Sequence, residues 1–271
     1  MAGVSIVWIL LVALVCAAAT MTAAALRARQ LGVVAVVDVA WGLGFVVVGL
    51  VTAGVGGLDA DSDARRWLVA ALVLAWGGRL AWHVRSRALG EHGGQEDPRY
   101  AELLGGSLRE VGLATAVKRV FLVQGLAQWF VAVPVAVGAV LGTAWWWVAV
   151  LGVLVWSAGL VFEAVGDAQL REFKKQPRDE RPNVMDRGLW GWTRHPNYFG
   201  DALVWWGLWV TSALAAGWLP GLLTLPCPIV MTVFLRNVTG AKLLEKTMSQ
   251  RDGWDSYAAR VPMFVPRPPR R

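Results

Sequence analysis

Seven apolar stretches, each long enough to cross a bilayer, dominate this 271-residue chain and leave little room for a soluble fold. They lie at roughly 4–26, 33–55, 67–84, 119–141, 144–164, 197–217 and 219–237, against the ~17–25 residues that a transmembrane helix needs. Hydrophobic residues make up 56% of the chain, above the roughly 45–50% of a soluble domain, so lipid is the solvent that fits. Many of the 17 tryptophans flank the apolar runs, where indole rings favour the lipid–water boundary. The first run is too long, and too poor in leading positive charge, for a cleaved signal peptide and is expected as a helix. Cys16 and Cys227 sit in separate apolar runs with no C-x-x-C spacing and read as small core residues. The expected fold class is an all-α integral membrane protein of about seven transmembrane helices.

The net charge is +7, but the positions of the charges matter more than their sum. Arg27 and Arg29, the run from Arg85 to Arg119, the run from Arg171 to Arg194, and the tail through Arg270 and Arg271 all follow odd-numbered helices. The opposite connections hold only Arg65 and Arg66, diluted by Asp59, Asp61 and Asp63. The positive-inside rule then sets the N-terminus outside and the C-terminus in the cytoplasm. Basic residues sorted in this way describe membrane topology, and no nucleic-acid partner is expected. With no internal repeat and no linker, residues 1–271 read as a single membrane domain in contact with membrane lipids.

Polar residues inside apolar runs are costly and therefore informative. Asp38 lies early in the second run and is expected to face inward, either against a cavity or paired with Arg27 or Arg29. Arg79 is the one cation well inside the third run, and Asp38 is its expected counter-charge; His83 follows one turn later on the same face. Gly42 and Gly44 permit close helix approach. Glu163, Asp167, Leu170, Arg171 and Lys174 share one helical face that turns from acidic to basic as it leaves the membrane. The densest cluster runs from Gly188 to Asp201. In it, Pro196 suits the first turn of a helix, Asn197 and Asp201 stack four apart, and Arg194 and His195 sit beside the positive end of the helix dipole, suited to an anion. Arg236 closes the seventh run and is expected in the same pocket. His83, His92 and His195 are scattered, and no metal site is expected.

Arg194-His195-Pro196-Asn197-Tyr198-Phe199-Gly200-Asp201, with the upstream Gly188-Leu189-Trp190, resembles the C-terminal signature of the steroid 5-alpha-reductase family, particularly its bacterial members of unassigned substrate. Asp38 through Gly42, Glu96-Asp97-Pro98-Arg99-Tyr100 and Gly253-Trp254-Asp255-Ser256-Tyr257 through Pro266 are similar to the same relatives, so the likeness spans most of the chain. The His-Pro-x-Tyr element is shared with isoprenylcysteine carboxyl methyltransferases. The resemblance implies a bundle in the bacterial inner membrane that binds NADPH from the cytoplasm. It implies hydride delivery to a carbon–carbon double bond conjugated to a carbonyl in a lipophilic, steroid-like or isoprenoid substrate. Residues 1–118 would form the substrate side and 119–271 the cofactor side. By position Asp167, Arg171, Lys174, Asn197, Asp201 and Arg236 match cofactor contacts, with Arg194, His195 and Tyr198 in the same motif.

Two departures stand out. Glu163 occupies a position where the steroid enzymes carry Asn. Those enzymes also polarise the substrate carbonyl with a Glu from helix two and a Tyr from helix three; here Asp38 stands for the Glu, and the third run has no Tyr. Arg79, His83 or a protonated Asp38 is the expected electrophile. Two other readings stay open: an S-adenosylmethionine-dependent methyltransferase using Glu245, disfavoured by a single acid where those enzymes show two, and a non-catalytic lipid-binding membrane protein.

Overall fold

The computed structural model describes residues 5–58, 63–91, 95–238 and 240–268, and these are helical with no strand. Asp59, Asp61, His92, Arg270 and Arg271 lie outside the described residues. Four helices come first: α1 (Ile6–Leu31), α2 (Val36–Gly56), α3 (Arg65–Glu91) and the short α4 (Pro98–Leu104). Single turns α5 (Leu108–Val111) and α6 (Leu113–Ala116) lead through a π-type turn (Val117–Phe121) into α7 (Leu122–Val140). Next come α8 (Trp146–Lys175) and α9 (Pro196–Trp209), the latter continuing as a π-type turn (Val210–Leu214). The chain then forms α10 (Trp218–Thr224), α11 (Pro226–Val233) with a π-type extension (Phe234–Val238), α12 (Ala241–Met248) and α13 (Trp254–Arg260).

Among the described residues, six helical stretches are long and apolar enough to cross a membrane: Ile6–Leu31, Val36–Gly56, Arg65–Leu89, Leu113–Val140, Trp146–Lys175 and Trp218–Met248. The chain is an all-α integral membrane protein. The six correspond to the first five and the seventh of the expected runs. The remaining run is helical too, 14 residues of α9 followed by 5 of π-type turn, but Asn197 and Asp201 in its first two turns lower its apolar character.

The chain divides into two compact units, Met1–Trp147 with Thr211–Cys227 and Val148–Val210 with Pro228–Arg271. The boundary between them falls in the first turn of α8, and residues 211–227 return to the first unit.

In the first unit α2 packs against α1, α3 and α7. The tightest approach is at Gly42 and Gly77. A β-carbon on Gly42 would lie 2.6 Å from the Gly77 carbonyl oxygen, and the reverse also holds, so side-chain-free positions let α2 and α3 touch backbone to backbone. Arg65, read from sequence as a loop charge, is instead fully buried. Its guanidinium donates to the carbonyls of Leu141 (2.8 Å), Gly142 (3.2 Å) and Gly138 (3.3 Å) and to Thr143 Oγ1 (2.8 Å). These carbonyls at the end of α7 have no intrahelical partner and sit at the negative end of its dipole, so a cation satisfies both demands at once.

In the second unit α8 and α9 meet through Gly159 and Gly200; a β-carbon on Gly200 would lie 2.6 Å from the Gly159 carbonyl oxygen. The segment before α9 is clamped by residues from α13 onward. Tyr257 Oη donates to the Trp190 carbonyl (2.7 Å), the Arg194 N–H to the Pro262 carbonyl (2.9 Å), Thr193 Oγ1 to the Phe264 carbonyl (2.9 Å) and the Arg267 N–H to the Trp192 carbonyl (2.9 Å). On the other side, Trp190 Nε1 donates to the Gly166 carbonyl of α8 at 3.0 Å.

Candidate functional site

Polar chemistry gathers at two places, one in each unit. In the first unit, the loop Glu96-Asp97-Pro98-Arg99-Tyr100 wraps the N-terminus of α2. Glu96 accepts the Val34 N–H at 2.6 Å and the Ala35 N–H at 3.0 Å, so a carboxylate some sixty positions away caps the positive end of α2. Asp97 caps α4 through the Arg99 N–H at 2.9 Å and grips the Arg99 guanidinium at 2.8 Å. With Pro98 at the first helical position, α4 starts in a fixed direction.

That direction carries Arg99 and Tyr100 to Asp38. The Arg99 guanidinium pairs with Asp38 at 3.2 Å, and the Tyr100 hydroxyl donates to the same carboxylate. Gln124 Nε2 of α7 donates to the Tyr100 oxygen at 3.2 Å. Arg87, near the end of α3, adds positive charge around Asp38. Tyr100 is buried, and that burial, reinforced by the Asp38 carboxylate, pushes its hydroxyl well above the usual phenol range. It is therefore a donor that keeps its proton at neutral pH.

The expected pairing of Asp38 with Arg79 is replaced by Arg99, because α4 turns its first residues back onto α2. Arg79 and His83 lie half-buried, one turn apart on α3, as their spacing implies. Arg99 and Tyr100 are the partners of Asp38 that the sequence expectation did not include. The signal lies in Glu96-Asp97-Pro98-Arg99-Tyr100, whose Asp97 cap and Pro98 start a helix that presents Arg99 and Tyr100.

In the second unit, Pro196 begins α9 as its residue type demands, and Asn197 Nδ2 donates to Asp167 Oδ1 of α8 at 3.2 Å. Asp201, one turn further, is buried on the same face of α9, and Glu163, one turn before Asp167 on α8, is buried as well. Arg171 and Lys174 continue the face of Asp167 outward and are exposed. Asn197 and Asp167 are thus brought together, with two cations leading away along one helix.

Arg194 and His195 do something other than expected. Arg194 grips Glu245 of α12 with Nε (2.7 Å) and Nη2 (3.1 Å), and its Nη1 reaches the Ala258 (3.0 Å) and Val261 (2.6 Å) carbonyls. His195 is buried and its Nε2–H donates to the same Glu245 at 3.1 Å, since a carboxylate only accepts. Their anion is internal. Tyr198 stacks on His195 with ring centroids 5.8 Å apart.

Arg236 also departs from its expected position. It lines a groove with Phe199, Ala202, Leu203 and Trp206 of α9. At about 100° per residue, these four lie on the side of α9 opposite to Asn197 and Asp201. The face on which a distant helix approaches is not written in the local periodicity of the sequence. Among the described residues no three His, Cys, Asp or Glu side chains gather as metal ligands.

A family model described as "Protein of unknown function (DUF1295)" matches residues 6–261. The chain belongs to the DUF1295 family. No curated protein and no solved structure matches it. The DUF1295 match takes in both polar clusters, from Asp38 to Glu245.

Proposed function

We propose that this DUF1295 member is a membrane-embedded, NADPH-dependent reductase of a carbon–carbon double bond conjugated to a carbonyl in a lipophilic substrate. The likeness of residues 194–201 to the steroid 5-alpha-reductase signature points to that reaction class. The observation that carries the reading is the Asp38–Tyr100 pair. A buried hydroxyl that stays protonated, with Gln124 donating to its oxygen and its one proton resting on Asp38, is the group that would turn from Asp38 to a substrate carbonyl oxygen as negative charge develops there. Arg99 pairs with Asp38 at 3.2 Å and holds its carboxyl in place, which orients the tyrosine in turn.

Asn197, oriented by Asp167, offers an amide to the cofactor, and Arg171 and Lys174 offer cations to its phosphates; this donor set fits an anionic nucleotide. When bound, NADPH would supply the hydride. The positive-inside bias assigns the Arg171 and Lys174 end of α8 to the cytoplasm, where the cofactor is found. The pairing of Glu245 with Arg194 and His195 supports the reductase reading over a methyltransferase that would use Glu245.

The test is titration of the purified protein with NADPH and, separately, with S-adenosylmethionine. NADPH is expected to bind, Asn197→Ala to weaken it at least tenfold, and Tyr100→Phe to leave binding intact while abolishing enone reduction. Binding of S-adenosylmethionine without NADPH would overturn the reading.

A further inference from the structure

We propose that the groove on the outer side of α9 is a binding site for one anionic phospholipid. It encloses about 480 Å³ and is walled by Phe199, Leu203 and Trp206 of α9, by Thr232, and by the segment from Pro262 to Val265. Two cations complete it, Arg236 from the π-type extension of α11 and Arg267 from the tail. Both are exposed, and no acidic side chain lines the groove.

The wall is fixed rather than loose. Trp206 Nε1 donates to Thr232 Oγ1 at 3.1 Å, and the Arg267 backbone is pinned to the Trp192 carbonyl at 2.9 Å.

Arg236 closes the apolar part of the Trp218–Met248 stretch, which is apolar enough to cross a bilayer. A cation at the end of such a stretch stands near the level where lipid headgroups begin. A lipid phosphate meets it there, and guanidinium forks match phosphate oxygens better than any point charge does. The aromatic and aliphatic wall gives the same molecule a place for its acyl chain, which a free phosphate would not use. Basic pockets between transmembrane helices select acidic headgroups for the same reasons. Because Asn197 and Asp201 occupy the opposite side of α9, this site is separate from the proposed cofactor residues and does not depend on them.

Full-length protein in neutral detergent is loaded with phosphatidylglycerol or phosphatidylcholine, and retained lipid is counted by native mass spectrometry. Phosphatidylglycerol is expected to be retained at least tenfold more strongly. The double variant Arg236→Gln/Arg267→Gln should lose that preference, and Leu203→Trp, which fills the apolar arm, should lower retention with both arginines in place. Inorganic phosphate and NADPH, added as competitors, should displace nothing. Thermal melting checks each variant; should the double variant melt early, Leu203→Trp and Arg267→Gln alone decide the matter. Equal retention of the two lipids, an unaffected set of folded variants, or displacement by phosphate or NADPH would each overturn the assignment.

Discussion

Replacing Glu245 with alanine should cost about 3 kcal/mol, the lower end of the ~3–5 kcal/mol that follows when one partner of a buried ion pair is removed. The carboxylate receives three N–H donors, two from Arg194 and one from His195. The side chains are only 11% (Arg194), 18% (Glu245) and 2% (His195) exposed, so water screens the pair little. The lower end applies because the Ala258 and Val261 carbonyls still hold the guanidinium after the change. The double variant Arg194→Met/Glu245→Met leaves no unpaired charge and should fall short of the summed single losses by about 2 kcal/mol or more. Reversible unfolding in mixed sodium dodecyl sulfate and neutral detergent micelles, followed by tryptophan fluorescence, measures all four members of this cycle. A loss below about 1 kcal/mol for Glu245→Ala, or strict additivity in the cycle, would refute the buried-clasp reasoning.

Gly200→Ala drives a β-carbon to 2.6 Å from the Gly159 carbonyl oxygen and 2.9 Å from Glu163 Cα, so the same assay should show about 1–3 kcal/mol lost. Gly78→Ala, whose new methyl meets nothing within 4 Å, should instead be neutral or stabilising by up to about 1 kcal/mol. Tyr100 and Tyr257 are two of only three tyrosines, and burial raises both hydroxyls. An ultraviolet titration should therefore show two phenols resisting ionisation, and Tyr100→Phe should remove one of them. A raised folded value means that the stability Tyr100 contributes is full below about pH 10 and is lost as pH climbs through the folded value. Asp63 has the opposite sign. Desolvation pushes its carboxyl up, but hydrogen bonds from Thr143 and from the Arg65 N–H outweigh that and hold it below the usual range. Its contribution is present above about pH 4 and fades as pH falls through the depressed value, and Asp63→Asn should flatten that part of the profile.

Much of the helical layout was legible because apolar run length is a local property. The start of α9 at Pro196 and the continuous α8 face from Glu163 to Lys174 followed from residue type and spacing alone. The failures share a cause: each partner arrives from far along the chain. Arg65 looked like a dilute loop charge because the α7 carbonyls it satisfies lie more than seventy residues away. Tyr100 is not legible as a partner of Asp38 because it stands on α4, 62 residues further along the chain. Arg194 and His195 read as a site for an external anion, whereas the anion they hold is a carboxylate supplied by α12. Arg236 was grouped with Asn197 by nearness to helix ends, whereas the side of α9 that it approaches depends on packing.

The clamp on residues 190–194 makes the second unit a structure completed in reverse. Trp190, Thr193 and Arg194 are synthesised long before Tyr257, Phe264 and Arg267, so their carbonyls and side chains must wait in the translocating chain without these partners. Until residues 257–267 have been made, α8 and α9 are joined by a segment that lacks these latches. The last residues to be made are therefore the ones that hold the link between two earlier helices.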